Sequence, residues 1–186
     1  MSFLGVFRIW PDACFLFLTL RQLRHGKSDD VTAFRIDRGG AVMAGAVVLL
    51  GVIAMHGHLG AGLLLGWLTV VSLLLHECGH MLAARTLGVP VREVGLCLKG
   101  PYIRRAPGRT PLDDAAIALS GPTVNALLAA ALWSVAGVGH WLAIYNLVLM
   151  ASNLAPLPGS DGQRIFAAFS KHAADPRIPV AIKKNN

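Results

Sequence analysis

Four long apolar stretches divide the chain, and most of the polar segments between them are short. They run from Gly39 to Met55, from Leu63 to Leu87, from Ala115 to Ala136 and from Trp141 to Leu157. Each is near the length of about 20 residues that a helix needs to cross some 30 Å of hydrocarbon, so the pattern predicts about four transmembrane helices. Small residues in the first stretch, such as Ala41, Gly45 and Ala46, would let a neighbouring helix come close. His56-Gly57-His58-Leu59-Gly60 and Gly137-Val138-Gly139 read as tight turns. A longer connection follows the second stretch. Gly88-Val89-Pro90 ends the helix, Val91 to Leu98 has strand character, and Lys99-Gly100-Pro101 signals a turn before Tyr102-Ile103, which predicts a small β-hairpin. Phe3 to Leu20 is apolar but broken by Arg8 and Trp10-Pro11-Asp12, and reads as an interfacial or re-entrant segment. Arg21 to Arg38 reads as a solvated basic linker. The expected fold class is therefore an all-α polytopic membrane protein. Its parts are an N-terminal segment and linker (1–38), a membrane-embedded core (39–162) and a cytoplasmic tail (163–186), helical near Arg164 to Phe169.

Composition supports a membrane setting. Hydrophobic residues make up 54% of the chain and charged residues 15%, with a mean hydropathy of +0.57, against roughly 25% charged in soluble chains. The net charge of +7 does not indicate nucleic acid, because the basic residues lie between apolar spans rather than on one face. Cys14, Cys78 and Cys97 are odd in number and widely spaced, so no disulfide framework is expected. The first apolar stretch lacks a small-residue cleavage site, so it does not read as a secretory signal. Lysine and arginine crowd residues 21–38, 88–114 and the tail, and are absent from the turns at 56–60 and 137–139. The positive-inside rule then puts both termini and the long connection in the cytoplasm.

The second stretch contains His76-Glu77-Cys78-Gly79-His80. Two histidines four apart share a helical face and can hold one zinc ion, while the glutamate beside the first can take a proton from the water that zinc activates. Ionisable groups at hydrocarbon depth are costly and mark a function by default. A catalytic zinc wants a third protein ligand. Glu93, Asp113, Asp114 and Asp161 are candidates, with His140 and His172 weaker ones. Asp161 stands out, because it lies in a proline-glycine break at the end of an apolar helix, where irregular backbone can line a cavity. The pair His56 and His58 reads as exposed loop residues. Pro122 within the third stretch, with Asn125 after it, needs local support from neighbours or water.

The segment His76 to Pro90 resembles the zinc helix of the site-2 protease family of intramembrane metalloproteases, peptidase family M50. Ser120-Gly121-Pro122-Thr123-Val124-Asn125 is similar to that family's Gly-Pro-x-x-Asn segment, and Asn153 through Asp161-Gly162 resembles its Asn-x-x-Pro…Asp-Gly motif. Gly159-Ser160 stands where bulkier apolar residues usually precede the aspartate. The resemblance implies that His76, His80 and Asp161 bind Zn2+ and that Glu77 is general base and acid. It also implies that Asn153 stabilises the oxyanion or holds substrate, and that Gly121, Pro122 and Asn125 lie at the substrate cleft. The hairpin would engage unfolded substrate as an added strand.

The expected function is an intramembrane zinc metalloendopeptidase acting on a membrane-spanning protein substrate. It would reside in the plasma (inner) membrane with its site toward the cytoplasm, embedded in the lipid bilayer and regulated by a membrane partner. The alternative is a non-proteolytic zinc-binding membrane protein with a transport or structural role, against which Glu77 argues, since metal binding alone does not need that carboxylate.

Overall fold

The computed structural model describes residues 3–9, 16–22 and 30–173. Cys14, the Trp10-Pro11-Asp12 break and the tail beyond Ala173 lie outside the described residues. In chain order the elements are β1 (Phe3–Ile9), β2 (Leu16–Gln22), β3 (Asp30–Ile36), α1 (Arg38–Ala54), α2 (Leu59–Thr86), β4 (Val91–Cys97), β5 (Gly100–Arg105), α3 (Pro111–Leu132), α4 (Val138–Leu154) and α5 (Asp161–Ala173).

The four expected apolar helices are α1 to α4. Asp37 caps α1 by accepting from the Gly40 N–H at 2.7 Å. A capping box starts α3: the Thr110 side chain accepts from the Asp113 N–H, the Asp113 side chain accepts from the Thr110 N–H, and Pro111 follows in the first turn. This starts α3 four residues ahead of the expected Ala115. The helices α2 and α3 are long and apolar enough to cross a bilayer. Val42, Leu49, Ile53, Trp67, Leu82, Leu127, Trp141 and Val148 are exposed. Apolar side chains turned outward along these four helices suit a membrane protein, whose solvent is lipid.

Close approach of α1 and α2 depends on glycine. A β-carbon at Gly66 would sit 2.4 Å from the Val48 Cα, and one at Gly62 would sit 2.4 Å from the Val52 Cα. Backbone-to-backbone contact of this kind supplies the dispersion energy that holds helices together where lipid removes the hydrophobic drive.

An all-α description is too narrow. The hairpin β4–β5 forms as expected, but it belongs to a five-stranded sheet in the order β1-β2-β3-β4-β5. The stretch read as interfacial or re-entrant contributes β1 and β2, and the stretch read as a solvated linker contributes β3. Strands β1, β2 and β3 pair antiparallel, and β3 pairs parallel with β4 from Ala33↔Glu93 to Ile36↔Leu96. A strand with one solvated face accepts a basic residue at alternate positions, as Arg35 does between Phe34 and Ile36. The sheet sits at the end of the bundle where α1 begins, α2 ends and α3 begins. Val91 and Val94 pack there against Ala84 and Ile117.

Candidate metal centre and cleft

Helix α2 puts His76 and His80 on one face, and both are buried against α3. The room for their rings comes from Gly121: a β-carbon there would lie 2.4 Å from His80 Nε2 and 2.6 Å from His76 Nε2. Asp161 reaches the same point from the first position of α5, and Gly162 lets that helix start pressed against the end of α4. A β-carbon at 162 would lie 2.1 Å from the Leu154 carbonyl oxygen.

Three atoms converge. His76 Nε2 and His80 Nε2 are 3.1 Å apart, and each lies 3.2 Å from Asp161 Oδ2. The opposite ring nitrogens are both engaged. His76 Nδ1 donates to Asn125 Oδ1 at 3.1 Å, and His80 Nδ1 donates to the Ile117 carbonyl at 2.6 Å. With the ring protons on Nδ1, both neutral imidazoles aim bare Nε2 lone pairs at a carboxylate oxygen, and three acceptors that close repel unless a cation lies among them. Tetrahedral zinc with bonds near 2.05 Å separates its ligand atoms by about 3.3 Å, close to the triangle observed. The donor set therefore fits zinc, and His76, His80 and Asp161 form the one metal-capable group among the described residues. Asp161's other oxygen, Oδ1, lies 3.4 Å from Arg164 Nη1, which leaves Oδ2 for the centre.

Pro122 removes a helical N–H and its ring crowds the preceding turn. In that turn the Ile117 carbonyl accepts from His80, with Ser120 Oγ also donating to it at 2.6 Å. Helix α3 continues through the proline.

A cavity of about 400 Å³ opens at this point. Glu77 lines it, as do His76, His80, Asn153, Asp161, Ser152, Lys99 and Arg164, with Pro101, Tyr102 and Ile103 of β5 along one wall. Asn153 donates to the Leu149 carbonyl of its own helix at 3.1 Å. Gly121, Pro122 and Asn125, which the resemblance put at the cleft, do not line it: Asn125 is 0% exposed and stands behind His76. Its Nδ2 has no acceptor among the described residues. The other carboxylates weighed as ligands are engaged elsewhere. Glu93 accepts from Tyr102 and pairs with Arg104, Asp113 belongs to the α3 capping box, and Asp114 holds Arg105 at 2.7 Å. His140 sits at the opposite end of the bundle, 3.2 Å from the Trp133 carbonyl. Burial and the Glu93 hydrogen bond push the Tyr102 hydroxyl up to about 12, so it stays protonated beside the cleft.

Sequence reasoning passes over Tyr102, Lys99 and Arg164 as cleft residues, and over the pair Ser72–Asn146. The last has a signal: both are polar within apolar stretches. Asn146, fully buried in α4, donates to Ser72 Oγ on α2 at 3.0 Å, one turn before His76.

Residues 64–140 match peptidase family M50. Rip3 of Mycobacterium tuberculosis, a protein assigned as a zinc metalloprotease, is 34% identical over 114 residues in strains Erdman and H37Rv alike; the match covers 54% of this chain and 29% of Rip3. The chain thus spans under a third of that relative's length. The structure is similar to the site-2 protease from Methanocaldococcus jannaschii, with a TM-score of 0.61, 21% identity, and coverage of 84% of this chain and 73% of that one. The resemblance to family M50 is borne out: the matched stretch contains the first two of the three motifs, while Asn153 to Gly162 lies beyond it, and zinc is the metal that both the curated relative and the donor set indicate.

Proposed function

We propose, from the premise that residues 64–140 match peptidase family M50, that the chain is an intramembrane zinc metalloendopeptidase hydrolysing peptide bonds in or near membrane-spanning segments. The observation that carries this reading is the convergence of His76, His80 and Asp161 beside Glu77, in a cavity among apolar helices. Zinc, when bound there, supplies the Lewis acidity that makes water nucleophilic at neutral pH and polarises a carbonyl.

The chain's own residues do the rest. Glu77 takes the proton of the attacking water and returns it to the leaving nitrogen. Asn125 and the Ile117 carbonyl hold the two imidazoles with Nε2 aimed inward. Asn153, across the cavity, holds the substrate carbonyl or the charge that develops on it. β5 is an edge strand of the sheet and lines the cavity, so an extended substrate can add to it as a further strand. A helical substrate must first unwind, because its carbonyls are occupied by its own hydrogen bonds. Segments with helix-breaking residues near one membrane surface are therefore the expected substrates.

In this reading α1 to α4 all cross the membrane and residues 39–162 form the proteolytic core. The sheet and the start of α5 face the cytoplasm in the plasma (inner) membrane. Regulation falls to a membrane partner. Wild-type protein and Glu77→Gln, each co-reconstituted with a single-span segment carrying such breakers, provide the test. The variant should cleave about 10² to 10⁴ times more slowly with its zinc retained. Equal rates would overturn the proposal.

A further inference from the structure

A second cavity is larger than the metal cleft. About 680 Å³ in volume, it lies between the end of β5, the 106–110 loop, the start of α3 and α5. Arg104, Arg105, Arg109, Arg164 and Lys171 line it, with Asp114 as its one acid. Asp114 is already engaged: Arg105 Nη1 lies 2.7 Å away and the Gly108 N–H donates to it at 2.9 Å. Arg104 lies 3.7 Å from Glu93 and Arg164 3.4 Å from Asp161, so Arg109 and Lys171 are the lining cations without an ion-pair partner among the described residues. They leave a concave, positive site that suits an anion with several oxygens, and an arginine fork matches phosphate oxygens in pairs.

Its position narrows the source. The cavity adjoins the first turn of α3, and Arg109 reaches back to the turn after α2, where a β-carbon at Gly88 would lie 3.2 Å from its Nη2. It therefore sits level with the ends of both span-length helices, where phospholipid phosphates lie. Helix α5 has two faces. At 100° per residue Arg164, Ala168 and Lys171 fall together toward the cavity, and Phe166 and Phe169 fall on the opposite side. Those rings are 69% and 54% exposed. A helix with cations on one face and bare aromatics on the other suits the plane of a membrane interface.

We propose that this cavity binds a phosphate group, with the headgroup of an anionic lipid as the source that α5 favours. Arg164 lines both cavities and pairs with Asp161, so an occupied phosphate site would sit one side chain from the metal centre.

The test uses the full chain in neutral detergent, titrated separately with phosphatidylglycerol, phosphatidylcholine and inorganic phosphate. Bound lipid is read by native mass spectrometry and phosphate by the shift in thermal midpoint. Wild type should retain phosphatidylglycerol in preference to phosphatidylcholine. Arg109→Gln and Lys171→Gln should each weaken it about fivefold, from roughly 1 kcal/mol per cation near a membrane surface. Arg92→Gln, which removes the same charge from an exposed position on β4, should leave binding unchanged. Arg109→Lys should restore most of it, which separates charge loss from misfolding. Binding of inorganic phosphate that depends on Arg109 and Lys171, with no such dependence for lipid, would support the phosphate site and overturn the lipid source. Equal weakening by cavity and control variants, or no binding of any phosphate, would overturn the site.

Discussion

His76 is held from behind by a side chain and His80 by a main-chain carbonyl, and this difference sets what mutation can reach. The carbonyl of Ile117 cannot be deleted, but Asn125 can. Asn125→Leu keeps the volume, removes the acceptor for His76 Nδ1, and also removes a buried Nδ2 that has no acceptor among the described residues. Zinc affinity should fall about 10- to 100-fold, the usual effect of losing such a partner, with little loss of fold stability. Competition against a chelator of known affinity measures this, and an unchanged affinity would remove Asn125 from the support of the site. At this scale much is legible in the sequence itself. Two histidines four apart, and an aspartate in a Pro-Gly break, carry their chemistry in local spacing. The backs of the imidazoles are not legible there, because Asn125 and Ile117 lie 49 and 37 residues from the histidines they hold.

Among the elements, α2 has two demands on it. It must present the zinc face to α3 and also lie close to α1, and glycine answers both. Gly121 clears the histidines, and Gly62 and Gly66 admit the backbone of α1. Gly66→Leu should force the α1–α2 pair apart. Gly66 stands ten residues before His76, about 15 Å along the helix, so the expected result is a lower thermal midpoint with zinc still bound at low temperature. An unchanged midpoint would mean that the contact contributes nothing to stability. The apolar runs and the β4–β5 hairpin are readable from the sequence because each is a local pattern. Strands β1 to β3 are not. Arg21, Arg35 and Arg38 resemble a solvated linker until β3 is seen pairing with β4, some 60 residues later. The capping box at Thr110–Asp113 is present in the sequence and gives the true start of α3.

For the molecule as a whole, the sheet, the end of α2, the starts of α1, α3 and α5, and the basic connections all gather at one end. The distribution of charge along the chain points to the same arrangement. Long-range pairing of β3 with β4 ties the N-terminal strands to that end, beside the cleft whose wall β5 forms. In the function proposed, one zinc ion is held by His76, His80 and Asp161, while Glu77 serves the chemistry without holding the metal. Zinc content of the purified full chain, measured by inductively coupled plasma mass spectrometry for wild type, Asp161→Ala and Glu77→Gln, tests it most directly. One zinc per chain is expected in wild type and in Glu77→Gln, and a large loss in Asp161→Ala. Zinc retained in full by Asp161→Ala, or lost from Glu77→Gln in a folded protein, would contradict it.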